Sequence, residues 1–329
     1  MKAIAQDKFG SSDVLQLREV PKPEVGPDQV LIRVRAASAN PYDWHLMRGL
    51  PYIARLAGVG LRKPKQSLLG TDVAGEVEAV GSAVTRFRPG DAVCGFVGEG
   101  GFAEYVSAPE RLLGLKPANL SFEQAATVPL AAVTALQGLR DAGGIRSGQK
   151  VLIVGASGGV GTFAVQIAKW YGAQVTGVCS TRNLELVRSI GADRVIDYTR
   201  EDFTRNGQRY DLIFQLAGTT PPLACRRALA PKGTLVLSSG DSPGRIIGPV
   251  GRIIKAGVLS RFVGQTMRPF LAKASSDDLQ FLRELIEAGK VTPVIDRTYP
   301  LSESADAIRY LETGHARGKV VISVSASLA

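Results

Sequence analysis

Between positions 155 and 161 the chain reads Gly155-Ala156-Ser157-Gly158-Gly159-Val160-Gly161, directly after the apolar run Val151-Leu152-Ile153-Val154. A turn of such small residues lets backbone amides approach a phosphate. The charge is then met by N–H groups and by the positive end of a following helix. Ser157, Gly158, Gly159 and Val160 are the residues expected to contact a pyrophosphate. After the next apolar run, 175–178, stands Cys179-Ser180-Thr181-Arg182. A site for NAD would want a carboxylate there to hold the ribose 2′-hydroxyl. Ser180 and Arg182 offer a hydroxyl and a guanidinium instead, which suit a 2′-phosphate through charge-assisted hydrogen bonds. These residues point to NADPH; the other reading of Arg182 is a solvated residue at a helix start.

The elements that must position these residues alternate strand and helix. A helix is expected over 162–171, with Phe163, Val165, Ile167 and Ala168 on its apolar face and Gly172 as its stop. A helix over 185–190 and strands over 194–196, 211–216 and 234–238 continue the rhythm. That alternation predicts an α/β fold with a doubly wound parallel sheet. Ligands bind at the carboxyl ends of such strands, which brings Ala217 and Ser238 to the cofactor edge. The first 120 or so residues read differently. Strands over 29–36, 74–80, 91–96 and 103–106 are separated by turns such as Pro89-Gly90-Asp91, which predicts a mostly antiparallel β-domain. Ser121 and Gln124 have the spacing of a capping box and open a helical stretch through 125–142. A helix over 276–288, a segment over 301–313 and a strand over 319–324 complete the chain.

The 329 residues suffice for two domains, and 45% hydrophobic residues with mixed charge suit a soluble enzyme. The start resembles no secretory signal, and no window is long and apolar enough to span a membrane. Three scattered cysteines, Cys94, Cys179 and Cys225, fit reduced thiols and a cytoplasmic location. The formal charge of +10 is spread along the chain without aromatic interleaving, so no nucleic-acid partner is expected. A basic and apolar stretch, 245–262, carries Arg245, Arg252, Lys255 and Arg261. Glycines and Pro249 interrupt it, which favours a pocket-flanking loop or a subunit contact over a membrane-surface helix.

Several motifs extend the picture: Gly70-Thr71-Asp72-Val73-Ala74-Gly75-Glu76-Val77, Phe87-Arg88-Pro89-Gly90-Asp91-Ala92-Val93, Gly101-Phe102-Ala103-Glu104-Tyr105 and Gly318-Lys319-Val320-Val321. With the glycine turn, they make nearly the whole chain resemble the zinc-independent quinone oxidoreductase branch of the medium-chain dehydrogenase/reductase superfamily. The resemblance implies a GroES-like β-domain built from both chain ends, 1–122 and 265–329, with a Rossmann domain, 123–264, inserted. It further implies that Thr134 lies under the nicotinamide, that Tyr198 lies near the adenosine phosphate, that Phe262 and Val263 meet the carboxamide, and that Lys319 reaches the phosphates. Relatives commonly form homodimers.

Alcohol dehydrogenases of that superfamily hold a catalytic zinc with a Cys, a Gly-His-Glu motif and a later Cys or Asp. Here the corresponding positions resemble Asn40, Thr71-Asp72 and the stretch 127–130, which offers no ligand. The only histidines, His45 and His315, do not complete a set of three or four ligands, so no metal is expected. Without a Lewis acid the acceptor must be easy to reduce, which selects quinones and alkenes conjugated to a carbonyl (enones). Asn40 either donates an amide N–H to the oxygen where charge develops, or to the cofactor, or caps its loop. Tyr52 resembles a pocket tyrosine of related enoyl reductases and either protonates an enolate or walls the pocket. The alternatives are a trans-acting enoyl reductase of lipid or polyketide assembly, and a non-catalytic NADPH-binding sensor or RNA-binding protein.

Overall fold

The computed structural model describes residues 1–55, 59–65, 67–238 and 264–324. The expectations for Phe262, Val263 and the stretch 245–262 fall outside the described residues. The chain divides into two compact units, one of residues 1–133, 274–289 and 293–329 and the other of 134–273 and 290–292.

The first unit is a β-domain. Its largest sheet has seven strands, and the long strand Gln29–Ala39 lies at its centre. Ile32 and Val34 face the core while Arg33 and Arg35 face water, the period-two pattern of a half-buried strand. This strand pairs antiparallel with Asp72–Val80, Tyr105–Pro109 and Lys319–Ser323. The register sets Ser38 opposite Asp72 and Ala39 opposite Val320. Three strand ends therefore meet at one place. Asn40 follows the end of the first strand, while Asp72 opens one neighbour and Lys319 opens the other.

The second unit carries a six-stranded, all-parallel sheet. Its order is Arg194–Asp197, Gln174–Cys179, Lys150–Val154, Tyr210–Gln215, Leu229–Leu237, Thr266–Pro269. Val151, Leu152 and Ile153 are wholly buried, as expected of a strand covered on both faces. The helix Gly159–Trp170 buries Phe163, Val165, Ile167 and Ala168, and Gly172 at φ +76° closes it. The last strand corrects the expected boundary. Thr266–Pro269 pairs in parallel with Leu229–Leu237, so residues 265–273 belong to this unit and not to the β-domain. At the other boundary, Ser121 and Gln124 exchange hydrogen bonds of 3.2 and 3.0 Å, but the helix they cap ends at Ala126 within the β-domain unit. Among the described residues no helix is long and apolar enough to cross a membrane.

Candidate functional site

The glycine turn of the second unit is built as its sequence requires. Gly155 sits at φ +87°, a left-handed conformation that favours glycine, and its N–H donates to Val178 O at 3.1 Å. A Cβ on Gly161 would lie 2.1 Å from Gly155 O, so only glycine allows the helix to start this close to the strand. The helix Gly159–Trp170 then begins with Gly158 at its N-cap. Its first turn has N–H groups with no partner inside the helix, the usual seat of a phosphate.

Beside that turn the end of Gln174–Cys179 forms a second polar edge. Asn183 is 4% exposed, and its Nδ2 donates to Ser157 Oγ at 3.0 Å and to Ser180 Oγ at 3.2 Å. Arg182 is exposed next to this bracket, as is Tyr198 beyond it. Sequence reasoning missed a carboxylate here. The parallel register sets Asp197 opposite Cys179. Asp197 accepts from Thr181 Oγ1 at 2.6 Å, from Thr199 Oγ1 at 2.7 Å and from Thr199 N at 3.0 Å. The Thr181 hydroxyl, then Thr199, hold its carboxyl below the usual range. A strand-order argument alone could have found it, since Asp197 ends the strand adjacent to the one that Ser180 follows.

Ala217 and Ser238 follow the strands Tyr210–Gln215 and Leu229–Leu237 at the same carboxyl edge, and the N–H of Ser238 donates to Gln215 O at 3.0 Å. Thr134 lies buried in the helix Pro129–Gln137 at the start of this unit.

In the β-domain the three meeting strand ends build a buried polar cluster. Asn40, 2% exposed, donates from Nδ2 to Asp72 Oδ2 at 3.0 Å and to Ser38 O at 3.3 Å, and faces Thr71 Oγ1 at 3.4 Å. Lys319, 3% exposed, donates from Nζ to Asn40 Oδ1 and to Ala39 O. Asp72 also accepts from Leu130 N at 3.2 Å, and the N–H of Asn40 donates to Asp43 Oδ2 at 2.7 Å. Burial pushes the Asp43 carboxyl up to about 7, with the Asn40 N–H opposing and the Asp72 charge adding to the rise. Burial likewise pushes Asp72 up to about 6, against Lys319 and Asn40. The ammonium of Lys319 is lowered by burial and supported by both aspartates.

Of the alternatives for Asn40, the loop cap is met: Asn40 stands at the N-cap of the helix Pro41–Arg48, and its amide Nδ2 is bonded to Asp72 Oδ2 and Ser38 O within the cluster. The ammonium of Lys319, expected at the phosphates, is committed to Asn40 and Ala39 inside the β-domain. Tyr52, by contrast, is 42% exposed. Its ring lies 4.8 Å from the Arg55 guanidinium, which is held by Gly49 O at 2.8 Å and also lies 4.2 Å from the Phe9 ring. Tyr42 is exposed with its edge against Phe96, and His45 stacks on Trp44.

With this geometry in hand, comparison with known proteins is direct. A family model described as alcohol dehydrogenase GroES-like domain matches residues 26–118, and one described as zinc-binding dehydrogenase matches 190–322. The chain is 38% identical to the chloroplastic NADPH-dependent alkenal/one oxidoreductase of Arabidopsis thaliana, over 98% of this chain and 79% of that protein. It is 34% identical to the chloroplast envelope quinone oxidoreductase homolog of Arabidopsis thaliana, over 98% of each. The solved structure of the quinone oxidoreductase from Coxiella burnetii matches with a TM-score of 0.87 at 35% identity, over 99% of both chains.

The zinc named by one family description does not suit this donor set. Asn40 offers an amide, Thr71 a hydroxyl and Asp72 a carboxylate already bonded to Asn40 and Leu130, with the Lys319 ammonium 3.8 Å away as its counter-charge. Zinc asks for several converging N, S or carboxylate ligands, and no group of three such side chains occurs among the described residues. The motifs, the two-unit fold and the full-length relatives agree: this chain belongs to the quinone oxidoreductase branch of the medium-chain dehydrogenase/reductase superfamily.

Proposed function

We propose that the protein is an NADPH-dependent reductase that passes hydride to a quinone or an enone without the help of a metal ion. The observation that carries this reading is the polar edge of the parallel sheet. There Asn183 joins the hydroxyls of Ser157, in the glycine turn, and Ser180, and the exposed Arg182 directly precedes Asn183 in the chain, a set of residues suited to an anion. When bound, the dinucleotide supplies the hydride.

The chain's own residues hold and orient. Ser157 and the backbone of Gly158, Gly159 and Val160 take the pyrophosphate. Ser180 and Arg182 take the 2′-phosphate, and Tyr198 covers the adenosine side. Thr134, Ala217 and Ser238 are proposed to border the rest of the dinucleotide. Tyr52 is proposed to wall the acceptor site, with its phenol as the residue-borne proton source for the reduced acceptor. The names of two relatives, an NADPH-dependent alkenal/one oxidoreductase and a quinone oxidoreductase homolog, support this acceptor class. The buried Asn40–Asp72–Lys319 cluster supports metal-free chemistry, because its charges are compensated within the protein. A homodimer in the cytoplasm completes the proposal; sedimentation and cell fractionation test those two points.

The deciding experiment follows the near-ultraviolet absorbance of NADPH with a panel of quinones and enones, with and without a chelator. Turnover that the chelator leaves intact is expected. Tight NADPH binding with no acceptor reduced would favour the sensor reading, and loss of rate on chelation would remove the metal-free one.

A further inference from the structure

The Asn183 side chain touches both halves of the proposed dinucleotide rim. Its Nδ2 reaches Ser157 in the glycine turn and Ser180 after the second strand, residues separated by a strand and a helix in the chain. Its backbone N–H donates to Ser180 O at 2.9 Å, which fixes the local turn independently of the side chain. The amide orientation follows from counting. With Nδ2 toward the serines, both of its N–H groups find hydroxyl acceptors and one buried atom, Oδ1, is left without a partner. The reverse orientation would strand the two N–H groups instead.

A hydroxyl that accepts from Asn183 keeps its own O–H free to donate elsewhere. Both serines are thereby set as outward donors, the state an anion requires. We infer that Asn183 is a positioning residue for the cofactor: it orients the hydroxyls of Ser157 and Ser180 as donors to the pyrophosphate and the 2′-phosphate, and so contributes to selection of NADPH over NADH. This rests on the dinucleotide reading above.

The test measures NADPH and NADH dissociation constants, by cofactor fluorescence, for the wild type, Asn183→Ala, Asn183→Asp and Ser180→Ala, with a thermal melt of each. Asn183→Ala is expected to weaken NADPH roughly tenfold, the scale of one hydrogen bond, and NADH by less. Asn183→Asp is expected to weaken NADPH further, because a carboxylate draws both hydroxyl protons inward and repels the phosphates. The melting temperature of Asn183→Ala should stay near the wild-type value, since the variant also removes the orphaned acceptor. Combining Asn183→Ala with Ser180→Ala should cost NADPH binding less than the two single losses together. Wild-type protein with no preference for NADPH would overturn the dinucleotide reading and this inference with it. A wild type that prefers NADPH, beside an Asn183→Ala variant that binds it as well or that loses NADH equally, would overturn this inference alone.

Discussion

Lys319 Nζ lies 3.8 Å from Asp72 Oδ2, and both side chains are enclosed in the β-domain, 4% and 0% exposed. The pair is set by strand register, because each residue opens a strand that flanks Gln29–Ala39. An ion pair in this setting is weak as a net source of stability but costly to break from one side. Lys319→Met is therefore expected to lower the unfolding free energy by about 3–5 kcal/mol at neutral pH. Lys319→Met with Asp72→Asn should cost clearly less than the sum of the single changes, because the second change removes the stranded charge. Strict additivity in urea denaturation would show that the two groups do not compensate each other.

The same cluster predicts how stability depends on pH. Asp43 rises from an ordinary value of 3.8 to about 7 in the folded protein, and Asp72 rises in the same sense to about 6. Between those limits the folded state keeps protons that the unfolded chain has released, so stability falls as pH rises. The contribution is full below about 3.8 and has gone above about 7. Lys319, Asn40 and Thr71 face Asp43 and oppose its rise, which moderates the slope without changing its sign. Asp43→Asn keeps an acceptor for the Asn40 N–H while removing the titration. Its denaturation midpoint should change less between pH 5 and pH 8, values that roughly bracket the window, than that of the wild type. An unchanged profile would assign the slope to other groups.

The glycine turn gives a paired prediction on packing. Gly161→Ala would press a methyl to 2.1 Å from Gly155 O, backbone that cannot rotate away. It should destabilise the second unit by about 1–3 kcal/mol or more and abolish NADPH retention. Gly158→Ala would meet Gly155 O at 3.4 Å, an ordinary contact, at an extended backbone position that any residue adopts. Its fold should survive. Equal melting temperatures for the two variants would mean that the close approach at Gly161 is not a constraint.

How much of this was legible in the sequence depends on distance along the chain. The parallel sheet and the glycine turn follow from short, local patterns, whereas the replacement of a zinc-ligand set by Asn40, Thr71 and Asp72 is read only against the resembled family. The partner of Asp72 follows from neither, since Lys319 reaches it only through antiparallel register with a strand from the other chain end. For the same reason a local reading leaves Asn40 open between a donor to the reacting oxygen or the cofactor and a loop cap, and gives no hint of the Lys319 ammonium at its Oδ1. Asp197 was hidden by being next to Ser180 across strands instead of along one. The end of the parallel-sheet unit was misplaced because Thr266–Pro269 is a four-residue edge strand containing a proline, a weak signal beside its buried neighbours.

Arg182 tests the cofactor assignment most directly. It is exposed and directly precedes Asn183, whose side chain holds Ser180. NADH lacks that phosphate, so an Arg182→Ala change should leave its affinity nearly unaltered. NADPH should bind about ten- to a hundredfold more weakly, the scale of a hydrogen bond to a charged group. The Asp197 carboxylate sharpens the contrast, because at the strand end next to Ser180 it disfavours an extra phosphate once the arginine is gone. The loss should also shrink as salt is raised, since screening weakens the contact that the wild type enjoys. Equal weakening of both cofactors would show that Arg182 supports the fold of the rim and does not read the 2′-phosphate.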